Sequence, residues 1–234
     1  FGTGLNGGAQ TDWWEYDPAA DSWTQKADFA GTSRYYAVAA AAGGKVYVGT
    51  GYDGSSKKDW WEYNPSTNLW AAKTDFGGTV RRAAVAVECN GKIYLGTGLN
   101  GGAQVDWWEY DPVGDDWTQK ADFGGGARYA PVAVECDGKI YLGTGENGGR
   151  QTDWWEYDPV GDDWTQKADF GGTARAYAVG ASLNSKVYLG TGYDGAILKD
   201  WWEYDPVGDD WTQKIDFSGS PIYDAVAVEC IEKI

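Results

Sequence analysis

The string Asp-Trp-Trp-Glu-Tyr-(Asp/Asn)-Pro occurs five times, beginning at Asp12, Asp59, Asp106, Asp153 and Asp200. Each start lies 47 residues after the last, with no insertion or deletion between copies. Five such units would fill 235 residues and the chain has 234. A repeat of this length is one supersecondary unit that cannot bury its own apolar face and must stack on copies of itself. Length alone would allow two domains. The unbroken period points instead to a single domain over residues 1–234.

The third copy shows what the unit is. Residues 128–136 read Arg-Tyr-Ala-Pro-Val-Ala-Val-Glu-Cys, with Val132, Val134 and Cys136 on one parity and Pro131, Ala133 and Glu135 on the other. That period of two predicts a first strand. Asp137-Gly138 is a two-residue hairpin signal, and residues 139–142 give a second strand of apolar, β-branched and aromatic residues. Gly143-Thr144-Gly145 and Asn147-Gly148 mark the next reversal. Residues 153–157 give a third strand. Asp158-Pro159-Val160-Gly161 suits a type I turn, and residues 164–167 give a short, polar fourth strand fit for an exposed edge. The unit is a four-stranded antiparallel meander without a helix. Repeated radially, five of them make an all-β, five-bladed β-propeller.

The first strand is expected innermost, where its Ala pairs (Ala37, Ala39; Ala84, Ala86; Ala225, Ala227) fit the crowding. The Trp-Trp pair should put one indole on each face of the third strand, as packing between blades requires. With 15 Trp, three per unit, the chain can build a core without long aliphatic runs, since each buried indole removes roughly 150–250 Å² from water. Cys89, Cys136 and Cys230 occupy one repeat position that holds Ala42 and Leu183 elsewhere. It reads as an apolar slot rather than a disulfide framework.

A Gly-rich step after the second strand, then a Tyr, then a Trp after six intervening residues, resembles the kelch repeat. The pairs are Tyr16/Trp23, Tyr63/Trp70, Tyr110/Trp117, Tyr157/Trp164 and Tyr204/Trp211, and Gly49-Thr50-Gly51 with its copies stands where kelch units carry a Gly doublet. The resemblance covers the whole chain. It implies a propeller that serves as a protein-binding scaffold, or in some members binds or processes sugars. Kelch propellers more often have six or seven blades. The copper chemistry of the galactose-oxidase branch uses His, and this chain has none.

The ends suggest how the ring closes. Ile234 matches Ile93 and Ile140, whereas Phe1 matches Leu95 and Leu142. The C-terminal residues are therefore expected to supply the first strand, and the start of the second, of a blade completed by residues 2–29. Pairing of residues 226–234 with that N-terminal blade would tie the ring shut. The chain starts at Phe1 and contains no Met, so removal of a leader or trimming is expected. An extracellular or periplasmic setting is the expectation for a natural chain. The third and fourth copies are alike enough for recent amplification or assembly by design, and a designed repeat need have no natural ligand.

The copies differ in two regions. The loop between strands two and three holds Leu5, Tyr52, Leu99, Glu146 and Tyr193 at one position, and Ala9, Ser56, Ala103, Arg150 and Ile197 at another. The approach to strand one holds Tyr35, Arg82, Tyr129, Ala176 and Tyr223, then Tyr36, Ala83, Ala130, Tyr177 and Asp224. In an up-down meander both regions lie at one end of the strands, so they share one face. The candidate ligand-binding set is Arg34, Tyr35, Tyr52, Arg81, Arg82, Arg128, Tyr129, Arg175, Tyr177 and Tyr193. Guanidinium forks suit carboxylates and phenol rings suit sugars or a protein partner. Arg34, Arg81, Arg128 and Arg175 have a second reading as structural residues pairing with Asp28 and its copies.

The formal charge of −16 opposes nucleic acid and anionic membranes. The expected partner is a protein or glycan, and the expected state a monomer. No cofactor, metal or catalytic set is expected. Asp53-Gly54 and Asp194-Gly195 look a little like cation loops, and Glu88, Glu135 and Glu229 could ring a channel mouth. Neither Ser nor Cys has a His to activate it, and no carboxylate pair differs from its copies. The expectation is a non-catalytic binding propeller. The alternatives are a multivalent lectin-like module and, furthest off, a carbohydrate-active enzyme.

Overall fold

A computed structural model describes residues 2–228. Among them there is no helix, and the strands form antiparallel sheets that repeat with the sequence period. Blade one is β3 (Val38–Ala42), β4 (Lys45–Gly49), β5 (Trp60–Asn64) and β6 (Leu69–Lys73). It follows the N-terminal pair β1 (Trp14–Asp17) and β2 (Ser22–Gln25). Blade two is β7 (Val85–Cys89), β8 (Lys92–Gly96), β11 (Trp107–Asp111) and β12 (Asp116–Lys120), with a small hairpin, β9 (Leu99–Asn100) and β10 (Gly102–Ala103), in its middle loop. Blade three is β13 (Val132–Cys136), β14 (Lys139–Gly143), β15 (Trp154–Asp158) and β16 (Asp163–Lys167). Blade four is β17 (Val179–Leu183), β18 (Lys186–Gly190), β19 (Trp201–Asp205) and β20 (Asp210–Lys214).

Strand order in each complete blade follows chain order, as a meander demands. The Asp-Gly hairpin holds, with Asp137 and Gly138 both left-handed (φ 53° and 77°) between the paired Cys136 and Lys139. Two details differ from the sequence expectation. The first strand begins at Val132, not at Arg128, because Ala130 turns left-handed at φ 51° and breaks the extended run. The third turn is one residue longer than a type I turn. Asp162 N–H donates to the Asp158 carbonyl, and the left-handed residue is Asp162 at φ 55°.

That turn explains the acid. Asp and Asn tolerate the left-handed region better than most residues. Asn68, Asp115, Asp162 and Asp209 each accept the hydroxyl of the Tyr five residues earlier and a backbone N–H of the preceding unit, 41 residues away. Each turn residue therefore fastens one blade to the next. Burial first, and then this hydrogen bond, push the phenols of Tyr110, Tyr157 and Tyr204 far up.

The Trp triplet does the rest. In three copies the first indole of the pair is fully buried and meets the next blade edge-on: Trp60 lies 5.3 Å from Trp117, Trp107 5.4 Å from Trp164, and Trp154 5.3 Å from Trp211, whereas Trp201 is half-buried. The second faces the preceding unit, with Phe29 6.1 Å from Trp61. The third donates its indole N–H backwards, from Trp70, Trp117, Trp164 and Trp211 to the carbonyls of Ala27, Thr74, Ala121 and Ala168. Edge-to-face pairs add about 0.5–1.5 kcal/mol each beyond the area they bury. Cys89 and Cys136 lie buried and free in the expected apolar slot, and burial raises both thiols to about 12.

The first strands of successive blades touch around the axis, where space is shortest. At Gly180 a Cβ would stand 2.6 Å from Val132 Cγ1 and 2.7 Å from Val134 Cγ2 of the neighbouring blade. Gly180→Val should destabilise the protein by about 1–3 kcal/mol through overpacking, read as a lower urea midpoint.

The fifth blade contains β1, β2 and the Gly2–Trp13 bridge, which repeats the Gly49–Trp60 pairing of blade one. Its C-terminal partner keeps the pattern through the collar, where Gly192 N–H donates to the Ile222 carbonyl and Asp224 N–H to the Tyr177 carbonyl. Residues 225–228, however, form no strand, and Val226 and Val228 are exposed, unlike the buried Val132 and Val134 of blade three, so the expected first strand is not formed within the described residues. The expected pairing of residues 226–234 with the N-terminal blade reaches into residues 229–234, which lie outside the described residues together with Cys230 and Glu229.

Candidate functional site

The two variable regions meet on one face, and backbone bonds hold them there. Tyr35 and Tyr52 exchange a pair of hydrogen bonds (3.1 and 2.8 Å), as do Arg82 and Leu99 (3.2 and 2.8 Å), Tyr129 and Glu146 (3.1 and 2.9 Å), and Ala176 and Tyr193 (3.1 and 2.9 Å). In the middle loop the two variable positions face each other across a tight hairpin: Leu5 with Ala9, Tyr52 with Ser56, Leu99 with Ala103, Glu146 with Arg150, and Tyr193 with Ile197. This follows from the meander, because the approach to strand one and the turn after strand two leave the sheet at the same end.

Four of the ten candidate residues are not on that face. Arg34, Arg81, Arg128 and Arg175 are buried at 0–2% exposure. Arg34, Arg128 and Arg175 grip Asp59, Asp153 and Asp200 with both guanidinium branches at 2.6–2.7 Å, and Arg81 reaches Asp106 with one branch at 2.7 Å. Another donation goes to the carbonyl of Thr50, Thr97, Thr144 or Thr191 at 2.8–2.9 Å. The guanidinium lies over the ring of Phe29, Phe76, Phe123 or Phe170 at 4.6–5.0 Å. With their donors spent inside the fold, these residues have nothing to offer a ligand. Their partner acid also differs from the one expected. It is the Asp that opens the Trp-Trp motif, not Asp28 or its copies.

The same Asp accepts the indole N–H of the second Trp, at 2.7 Å for Trp61 on Asp59 and 2.8 Å for Trp202 on Asp200. Burial alone would raise Asp59, Asp106 and Asp200; the Arg and Trp donors outweigh it and hold all three carboxyls low. The Thr carbonyls are aimed at the Arg by a left-handed backbone, φ 55–59° at Thr50, Thr97, Thr144 and Thr191. That geometry costs a β-branched residue on the order of 1–3 kcal/mol, which the charge-assisted bond offsets.

The remaining candidates sit on the face with residues outside the candidate set. Tyr52, Tyr35, Tyr36, Tyr177, Tyr223 and Tyr193 form one continuous band of rings. Successive centroids are 5.6, 5.0, 6.2, 6.2 and 6.1 Å apart. Each end carries an arginine: Arg82 lies 4.6 Å over Tyr52, and Arg150 4.5 Å over Tyr193. Tyr129 stands beside the band with Glu146, and its phenol is raised first by burial and then by that carboxylate. Tyr36, Tyr223, Asp224 and Arg150 were absent from the candidate set, although all four fill positions at which the copies disagree. The variability itself was the signal that could have found them.

The band crosses a collar on the axis. Tyr36, Ala83, Ala130, Tyr177 and Asp224 are one repeat position, all left-handed at φ 50–57°. Four of the five N–H groups donate to the carbonyl of the collar residue before them: Ala83 to Tyr36, Ala130 to Ala83, Tyr177 to Ala130, and Asp224 to Tyr177. The collar encloses a space of about 100 Å³ lined by these residues and their C-terminal neighbours Ala37, Ala84, Pro131, Ala178 and Ala225. Two residues from each of five blades converge there. A wider axial cavity of about 690 Å³ continues from it past apolar walls such as Ala39, Ala86 and Gly180. Backbone symmetry is kept while side-chain symmetry is broken, with Tyr, Asp and Tyr on one arc and two Ala on the other.

The other candidate chemistry is accounted for locally. Asp53 accepts from Thr32, Ser55 and Lys57, and Asp194 from Thr173 and Ala196. Glu88 and Glu135 cap the Gly91 and Gly138 amides of their own hairpins. No group of His, Cys, Asp and Glu fit to hold a metal occurs among the described residues.

No protein-family model matches the chain, and no curated protein matches it. Solved structures do match, 321 chains of them, so the architecture is widely used and selects no activity by itself. A protein named YjhT superposes with a TM-score of 0.84 over 99% of this chain and 87% of its own, at 18% identity. Likeness at that identity is a likeness of fold. The chain is an all-β, five-bladed β-propeller.

Proposed function

We propose that this chain is a non-catalytic binding propeller of the kelch type, working as a monomer, whose ligand seats on the tyrosine band across the axial mouth. The observation that carries the reading is the coincidence of three properties in one place. The copies disagree there, six tyrosine rings run together there, and the fivefold side-chain symmetry breaks there. Tyr is favoured at recognition surfaces because a rigid ring brings large contact area with a polar tip. The residues that repeat without change are occupied with packing. A partner protein that presents an extended edge fits the length of the band. A glycan is the second reading, favoured by rings set in a row, on which sugar faces can stack.

Peptide and glycan arrays probed with the wild type and with a Tyr52→Ala/Tyr193→Ala variant test it. The expected result is a hit weakened more than about tenfold in the variant, as two truncated aromatic anchors imply, with unchanged melting. Hits that ignore both substitutions would overturn the proposal. A designed repeat without a natural ligand would give no tyrosine-dependent hit.

A further inference from the structure

Asp224 is the anomaly of the collar. Among the described residues its carboxylate takes part in no hydrogen bond or ion pair, and desolvation by the rings packed beside it raises it above the ordinary carboxylate range although the residue is exposed at the mouth. Most other acids on this face are spoken for: Asp53 by Lys57 and Thr32, Asp194 by Thr173. The two arginines of the face are held over rings at the far ends of the band, and neither forms an ion pair with Asp224. Asp224 is exposed at the mouth of the collar and meets no counter-charge among the described residues, so its carboxylate is open to a cation that arrives from outside.

The surroundings define what that something is. Asp224 follows Tyr223 in the chain, and its collar position stands between those of Tyr177 and Tyr36. Tyr36 and Tyr177 meet at 6.2 Å and 37°, and Tyr177 and Tyr223 at 6.2 Å and 71°, so the three rings form an open corner rather than a stack. The phenols of Tyr36 and Tyr177 are raised, by burial first, with the Asp224 carboxylate contributing to both. Tyr223 is 48% exposed, and Asp224 opens to the mouth. Aromatic rings gathered beside one carboxylate attract a cation through the ring quadrupole and through charge. The space of about 100 Å³ inside the collar has room for a head group of a few heavy atoms. The whole-chain charge of −16 draws cations toward the mouth.

We propose that the collar binds a small organic ammonium group, on a free molecule or at the tip of a partner's side chain, against Tyr36, Tyr177 and the Asp224 carboxylate, with Tyr223 packed behind Tyr177. This rests on the binding reading above and adds the class of the recognised group. The Ala83 and Ala130 arc is the same collar without rings or charge, and takes no part.

The probe is choline chloride, titrated by calorimetry against 3,3-dimethylbutan-1-ol, its uncharged analogue of equal shape. Choline should bind at least about tenfold tighter than the alcohol, the difference a partly desolvated cation–π site supports. Asp224→Asn should bring choline down toward the alcohol, and Tyr177→Leu should do the same. Asp224→Asn breaks no contact within the described structure, so its melting temperature should stay with the wild type even if Tyr177→Leu folds poorly. Equal affinity for choline and the alcohol, full choline affinity in Asp224→Asn, or no choline binding by the wild type would each overturn the inference. Should choline fail while an array ligand still depends on Tyr52 and Tyr193, only this inference falls and the binding reading stands.

Discussion

Arg175→Met should lower the unfolding free energy by about 3 kcal/mol, the range expected when one partner of a buried ion pair is removed. The guanidinium is fully buried, bonded to both Asp200 oxygens at 2.6 Å and to the Thr191 carbonyl at 2.9 Å. Its loss strands an Asp200 carboxylate in the blade and removes the contact that offsets the left-handed Thr191. For a domain of this size the melting temperature should fall by about 2–4 °C for each kcal/mol. Adding Asp200→Leu should restore part of the loss, since a buried pair replaced by apolar groups is often near neutral. Recovery is incomplete because Trp202 N–H loses its acceptor. If Arg175→Met alone is silent, the pair is not structural.

The same pair sets an acid limit. Asp200 titrates below its ordinary value in the fold because Arg175 and Trp202 outweigh the effect of burial. A carboxyl lowered on folding contributes stability that is complete above its unfolded pKa of about 3.9 and is lost as pH falls through the folded value. Asp59 and Asp106 act in the same direction. Urea midpoints should therefore hold steady down to about pH 5 and drop below about pH 4. In Arg175→Met the Asp200 share of that drop should vanish.

Trp154→Ala should cost about 3–5 kcal/mol, the usual range for truncating a buried aromatic. Trp154 is fully buried between blades three and four, 5.3 Å from Trp211 and 6.2 Å from Tyr204. The cavity opens at an interface rather than inside a blade, so blades three and four should separate more easily. The urea transition should broaden as well as shift. Val160→Ala, at 92% exposed, should change the midpoint by less than about 0.5 kcal/mol. A Trp154→Ala midpoint close to that of Val160→Ala would mean that the indoles do not hold the blades together.

Much of the blade was legible because its causes are local. Alternation of Val132, Val134 and Cys136 required a strand, Asp137-Gly138 required a tight hairpin, and fifteen Trp at fixed spacing required packing between units. The site was half legible. Disagreement among copies located the face, and Tyr35, Tyr52, Arg82, Tyr129, Tyr177 and Tyr193 are on it. The Arg34 series was misplaced because chain position says which end of a strand a residue occupies and not how deep its side chain reaches. The Arg carries its charge inward to an Asp 25 residues later, where burial and two-pronged geometry favour it over the nearer Asp28.

The sequence by itself determined the unit, its fivefold repetition and the face on which the copies differ. Hydrophobic period and turn chemistry act over a few residues, and repetition multiplies them. Only the tertiary structure decided which acid each arginine holds, that the collar turns left-handed at Tyr36, Ala83, Ala130, Tyr177 and Asp224, and that six tyrosines from three blades join into one band beside a carboxylate with no partner among the described residues. Those are meetings of residues far apart in the chain. Ring closure brings them together, and no local propensity encodes it.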